Sequence, residues 1–156
     1  MSMDINVFWH GALQPSRTAL AQALAALGFE ATVLHDFRDN EGYWPIDIAG
    51  YKTGVFTSFN DDLSELKEFY PVLSEALDGR DKGVTLSFGS DSAEAGAVLA
   101  IAAALARLGD VILYEPSEGV VFSAEQAADE ARQMFESAKR EGYRERQDED
   151  PAAVES

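Results

Sequence analysis

Two histidines, a scatter of serines and 28 carboxylates are the groups in this 156-residue chain that could do chemistry, and there is no cysteine among them. The missing thiols exclude disulfides, thiolate zinc sites and a cysteine nucleophile, and they suit a reducing compartment. His10 follows the apolar run "INVFW", and His35 stands beside Asp36. A histidine held by a neighbouring carboxylate can serve as a general base. His10, His35 and Asp36 would make such a set if the fold joined them at strand ends, where open α/β sheets hold ligands. A serine hydrolase needs its nucleophile on a sharp turn, and no G-x-S-x-G occurs. Ser87, Ser90 and Ser92 instead read as strand and cap residues. The pairs Asp61/Asp62, Asp36/Asp39 and Glu65/Glu68 could divide acid and base roles. Chance supplies such pairs in so acidic a chain, and none sits in an apolar context that would raise a pKa. Both histidines are therefore expected to be half-buried and hydrogen-bonded. The chain is expected to be no enzyme and to hold no metal or cofactor.

The stretch "VTLSFGSDSAEAGAVLAIAAALARLGD" (84–110) has the strand, glycine turn, helix layout of a phosphate-binding loop. A P-loop would need a glycine, four intervening residues, then Gly-Lys-Ser or Gly-Lys-Thr, and a dinucleotide loop three closely spaced glycines. Here Gly89 stands alone at the turn, and Asp91 and Glu94 put negative charge where phosphate would sit. The same two acids suit a helix start, with Asp91 as the cap and Glu94 three residues on, as in a capping box. A membrane span fails on length: the uncharged run from Ala95 to Ala106 is 12 residues, against the about 20 that a helix needs to cross a bilayer. What remains is a helix with small residues nearly all round, suited to close packing on a sheet.

The elements that must position these groups follow from periodicity and punctuation. "INVFWH" (5–10) reads as a strand, "PSRTALAQALAALG" (15–28) as a helix with Leu20, Ala23, Leu24 and Leu27 on one face, and "FEATVLH" (29–35) as a second strand. Strand, helix, strand with short links predicts a right-handed parallel crossover, which would bring His10 and His35 to the same edge of the sheet. "YWPIDIAGYKTGVFTSF" (43–59) predicts a β-hairpin with its turn between Gly50 and Gly54, and Pro45 places the first arm at its start or on an edge. Leu63, Leu66, Tyr70, Leu73 and Leu77 form a helical stripe that Pro71 interrupts and Gly79 stops. A strand (83–88), the 91–108 helix and a hairpin from "VILYE" and "GVVF" lead to a last helix, opened by a Ser123/Gln126 capping box. The fold class is α+β: a mixed, largely antiparallel sheet with hairpins and about four helices packed on it. Residues 1–138 are expected to form a single domain, and 139–156 a charged tail, frayed or disordered.

The net charge is −16, and the tail holds only −2 of it, so the body carries −14. A body this acidic repels nucleic acid and anionic membrane and attracts a basic partner. The mean hydropathy of −0.17 fits a soluble protein. The N-terminus lacks the basic start and apolar core of a signal peptide, which predicts a cytoplasmic location. The window from Asp36 to Glu68 combines eight acids and three bases with Tyr43, Trp44, Tyr51, Phe56 and Phe59. Aromatic anchors ringed by charge are a common interface composition. The candidate partner-binding residues are Asp36, Asp39, Glu41, Tyr43, Trp44, Asp61, Asp62 and Glu65.

"GYWPIDIAGYKTGVFTSF", followed about 25 residues later by "VTLSFGSDSAEAGAVLAIAAALARLGDVILYEPSEG", resembles a pattern in small acidic bacterial immunity proteins of polymorphic and type VI secretion toxin systems. It covers roughly residues 42–138: a W-P-containing hairpin, a strand entering an acid-capped alanine-rich helix, and a closing strand pair with an acidic turn. The resemblance implies a protein without activity of its own that binds a cognate toxin domain in the cytoplasm and blocks its basic active-site cleft. The alternative expectation is a small ligand-binding domain or enzyme using the His10/His35 edge.

Overall fold

The computed structural model describes residues 3–10, 14–37, 42–60, 62–64, 68, 77, 79–89, 91–116 and 119–142. Ten regular elements run in the order β1 (Met3–Trp9), α1 (Arg17–Ala26), β2 (Ala31–Val33), β3 (Gly42–Ile48), β4 (Tyr51–Asn60), β5 (Lys82–Phe88), α2 (Ser92–Leu108), β6 (Ile112–Glu115), β7 (Val120–Phe122) and α3 (Ala124–Ser137). A π-helical turn, Ala138–Gly142, extends α3. The class is α+β, and the described residues form three helices. The expected helix between Asp61 and Gly79 falls mostly outside them; Ser64, Glu68 and Leu77 within it have helical backbone.

The seven strands form one sheet, ordered β2-β3-β4-β5-β1-β6-β7, and every pairing is antiparallel. The expected parallel crossover between β1 and β2 is therefore absent. The two strands run in the same direction, but β3, β4 and β5 lie between them. β1 carries apolar residues on both faces, Ile5, Val7 and Trp9 on one and Phe8 on the other, as a central strand must.

Strand alternation sends one set of side chains toward the helices. Trp44, Ile46 and Ile48 of β3, Val55 of β4, Val84 and Leu86 of β5, and Leu113 of β6 meet α1, α2 and α3 in a single large core. α2 is the hub of that layer, buried from Ala95 to Leu105. Its small residues let neighbours approach closely: a Cβ at Gly96 would stand 2.7 Å from the Phe135 ring of α3. α3 buries Ala127, Ala128, Ala131 and Phe135 at helical spacing.

The helix ends are chemically specified. Ser16 caps α1 and the Ser123/Gln126 capping box opens α3. The Asp91 carboxylate accepts the Ala93 N–H at 2.8 Å. Glu94 differs from the strict capping box: its carboxylate reaches back to the Gly89 N–H at 3.4 Å and closes the turn that enters the helix. The β3–β4 turn is also tighter than expected. Ile48 pairs with Tyr51, so the turn is Ala49-Gly50, both at positive φ (54° and 86°), as a two-residue hairpin requires. Gly54 lies well inside β4. Pro45 behaves as an edge residue: β2 pairing stops at Val33–Ile46, one position short of this residue without an N–H.

Candidate functional site

Among the described residues, the other face of the sheet is only partly covered. At one end Phe8 packs with Leu63 and Leu77, flanked by Ile112 and Tyr114. At the other end, alternation puts Tyr43, Pro45 and Asp47 of β3 opposite Phe56, Gly54 and Lys52 of β4. Ser87 of β5 lies beside Phe56, and Asp4 of β1 beside Ser87. Tyr43 and Phe56 are 47% and 50% exposed. Their rings meet edge-on, with centroids 5.2 Å apart, a geometry that the aromatic quadrupole favours. Gly54 makes the arrangement possible, because the Tyr43 ring stands within 2.8 Å of where a Cβ would be. The pair thus presents an apolar surface to solvent, with Tyr43 lying over Gly54.

Carboxylates reach this platform from a different element. The Tyr43 phenol is pushed above its ordinary value, first by burial and then by the negative charges of Glu94 and Asp91 at the start of α2. The acids that make phosphate binding implausible in the strand–turn–helix segment therefore act on the Tyr43 end of the pair. Asp47 and Lys52 face each other across β3 and β4 on the same side.

The residues expected at a partner surface separate. Tyr43 is on the platform. Trp44, its neighbour, is fully buried in the core, donates its indole N–H to the His35 carbonyl at 3.1 Å, and cannot contact a partner. Consecutive strand residues point to opposite faces, so only one of the two could be exposed. Asp36 lies exposed and ion-paired with Arg17 at 3.3 Å. Asp62 is exposed and accepts from the Ser64 N–H and hydroxyl at 3.0 and 2.7 Å, a local turn. Asp39, Glu41, Asp61 and Glu65 lie outside the described residues. Phe56 and Glu94, absent from the expected set, belong to the surface. A two-residue turn at 49–50 would have revealed Phe56, because that register sets it opposite Tyr43.

The two histidines do not follow neighbouring strands. Four strand spacings of about 4.8 Å separate β1 from β2, or about 19 Å. Both histidines are exposed rather than half-buried. His10 Nδ1 stands 3.7 Å from Asp81, too long for a hydrogen bond. Nearby, Arg80 is buried and donates to the Leu77 carbonyl at 3.1 Å and to Asp110 at 2.7 Å, tying the entry of β5 to that of β6.

Among the described residues no group of three His, Asp or Glu side chains could hold a metal ion, and no helix is long and apolar enough to cross a membrane. No family model, no curated protein and no solved structure matches the chain.

Proposed function

We propose that this chain is a binding protein without catalytic activity, of the immunity type, which neutralises a toxin by occupying its basic active-site cleft. The observation that supports this reading is the exposed Tyr43–Phe56 pair lying over Gly54, whose Tyr43 end feels the negative charges of Glu94 and Asp91. Rigid aromatic anchors lose little entropy on docking and dominate interface energies. The surrounding net charge of −16 accelerates encounter with a cationic surface. The same charge and the exposed aromatics suit a toxin whose own substrate is a nucleotide or nucleic acid, since its cleft must be cationic. The docking centre in this reading is the Tyr43–Phe56 part of the sheet face, which is exposed. The reading that joins His10 and His35 in an enzyme site loses its geometric basis with the parallel crossover.

The test begins with the reading frame next to this gene. Its product, expressed alone and with this chain, is expected to arrest growth only when alone. Phe56→Arg is expected to abolish protection while leaving the melting midpoint within a few degrees. Full protection by that variant, or a metabolic enzyme as the neighbour's product, overturns the proposal.

A further inference from the structure

One row of side chains crosses the exposed part of the sheet. Register sets Tyr43 of β3, Phe56 of β4, Ser87 of β5 and Asp4 of β1 side by side on the face away from the helices. Neighbouring strands lie about 4.8 Å apart, so two rings, a hydroxyl and a carboxylate follow one another at that spacing. The rings are half exposed, and Ser87 and Asp4 are half-buried. In the next row the Thr85 hydroxyl donates to Asn6 Oδ1 at 2.7 Å, so those two groups are engaged with each other. The Asp4 and Ser87 side chains, in contrast, have no hydrogen bond or ion pair among the described residues. The described strands put one cation on this face, Lys52. It stands opposite Asp47 and four residues along β4 from Phe56, a distance of about 13 Å. At the other end of the row, Glu94 and Asp91 add negative charge near Tyr43.

We propose that this row is a cradle for one arginine side chain of the partner protein, stacked on the exposed rings and hydrogen-bonded to Ser87 and Asp4. The inference rests on the docking role proposed above for the same face, and it names the side chain that docks. A guanidinium is planar and weakly hydrated, so it lies against an aromatic ring at little desolvation cost. The negative face of the ring attracts it. Its five N–H donors all lie in its plane. A guanidinium resting over Phe56 and the short Ser87 side chain therefore directs donors sideways along the row. The Ser87 hydroxyl and the Asp4 carboxylate are the acceptors it meets there. The apolar stem of the same side chain lies across the rings. A lysine ammonium is a compact, strongly hydrated point charge, drawn to the rings or to the carboxylate but too small to cover both. An acidic side chain is repelled by Asp4, Glu94 and Asp91 together.

The test titrates the full chain with three capped tripeptides that differ only in the central residue: Gly-Arg-Gly, Gly-Lys-Gly and the uncharged citrulline analogue of the first. Amide chemical shifts of Phe56, Ser87 and Asp4 are expected to move with the arginine peptide, which should bind about threefold more tightly than the lysine peptide. The citrulline peptide is expected to give no saturable shift. Phe56→Leu keeps an apolar surface, removes the ring and is expected to weaken arginine binding about threefold. Asp4→Asn keeps the shape, removes the charge and is expected to cost about as much. Glu136→Gln removes one charge from an exposed position on α3 and is expected to leave binding unchanged, which separates the cradle from net charge. Equal binding of the arginine and lysine peptides, no saturable shift with the arginine peptide, equal losses in Asp4→Asn and Glu136→Gln, or shifts confined to other surfaces overturn the proposal. The two proposals fail separately. Equal binding of the two peptides strikes the cradle even where the chain protects against its neighbour's product, and selective arginine binding upholds it whatever that product does.

Discussion

The two faces of the sheet use the same alternation for opposite ends. On the helix side, Trp44, Ile46, Ile48 and Val55 vanish into a core closed by α2. On the other side, one residue away along the same strands, Tyr43 and Phe56 stay half in solvent. Both faces are aromatic and both rely on a glycine for close approach, Gly96 beneath Phe135 and Gly54 beneath Tyr43. They differ in what lies beyond the rings. The core rings meet other apolar groups, while the outer rings meet the carboxylate field of the α2 start. Aromatic content therefore does not separate core from interface in this chain. Parity along the strand does.

The largest expected effect follows from that parity. Trp44→Ala should destabilise the fold by about 3–5 kcal/mol, the usual result of emptying a large core site, and should lower the melting midpoint by about 10 °C or more. Phe56→Ala, twelve residues on, should cost no more than about 1 kcal/mol. Thermal melts of the two variants side by side check the contrast. Equal losses would mean that the two faces are not distinct.

How far the sequence disclosed this can be told from the same residues. The helices were legible because their ends are written in local chemistry: Asp91 and the Ser123/Gln126 box cap as expected. The hairpin was legible, but its turn was not, because Ala49 takes a positive φ that alanine does not advertise. Gly54 looked like turn material and is instead the floor under a tyrosine. That misplacement hid the Tyr43–Phe56 register and allowed Tyr43 and Trp44 to be assigned to one surface. The order of strands was not legible. α1 carries the chain across three strands that had yet to appear in sequence, and no local signal fixes how far a connection travels. The expected strand adjacency of His10 and His35 went with it.

Gly54→Ala sharpens the comparison at intermediate scale. The new methyl cannot coexist with the present position of the Tyr43 ring, so the ring must move. Overpacking of this kind costs about 1–3 kcal/mol, reduced here because an exposed ring can swing into solvent. The expected signature is a modest drop in melting midpoint with loss of ring contacts between Tyr43 and Phe56 in NMR. Retained contacts would show that the platform does not depend on the glycine. The caps offer a matched pair at smaller scale. Asp91→Ala and Ser123→Ala should each cost about 1 kcal/mol, as N-cap removals do, measured by denaturant unfolding. Only the first should alter the Tyr43 phenol.

The smallest effect is the most specific to the open face. Burial, then Glu94 and Asp91, raise the Tyr43 phenol above the ordinary tyrosine value of 10.0. A raised phenol means that the folded chain holds its proton at a pH where the unfolded chain has released it. The resulting stabilisation is complete below the unfolded value and disappears as pH rises through the folded one. Because the ring is half exposed, the gain is small and solvent-screened, so spectroscopy is a better gauge than stability. Ultraviolet titration of phenolate absorbance should show a late component that is missing in Tyr43→Phe. Glu94→Gln should bring that component down while leaving it above 10, because burial is the larger cause and persists. If Glu94→Gln changes nothing, the α2 carboxylates do not reach the aromatic pair. The platform would then be merely apolar, and its preference for a cationic partner would rest on net charge alone.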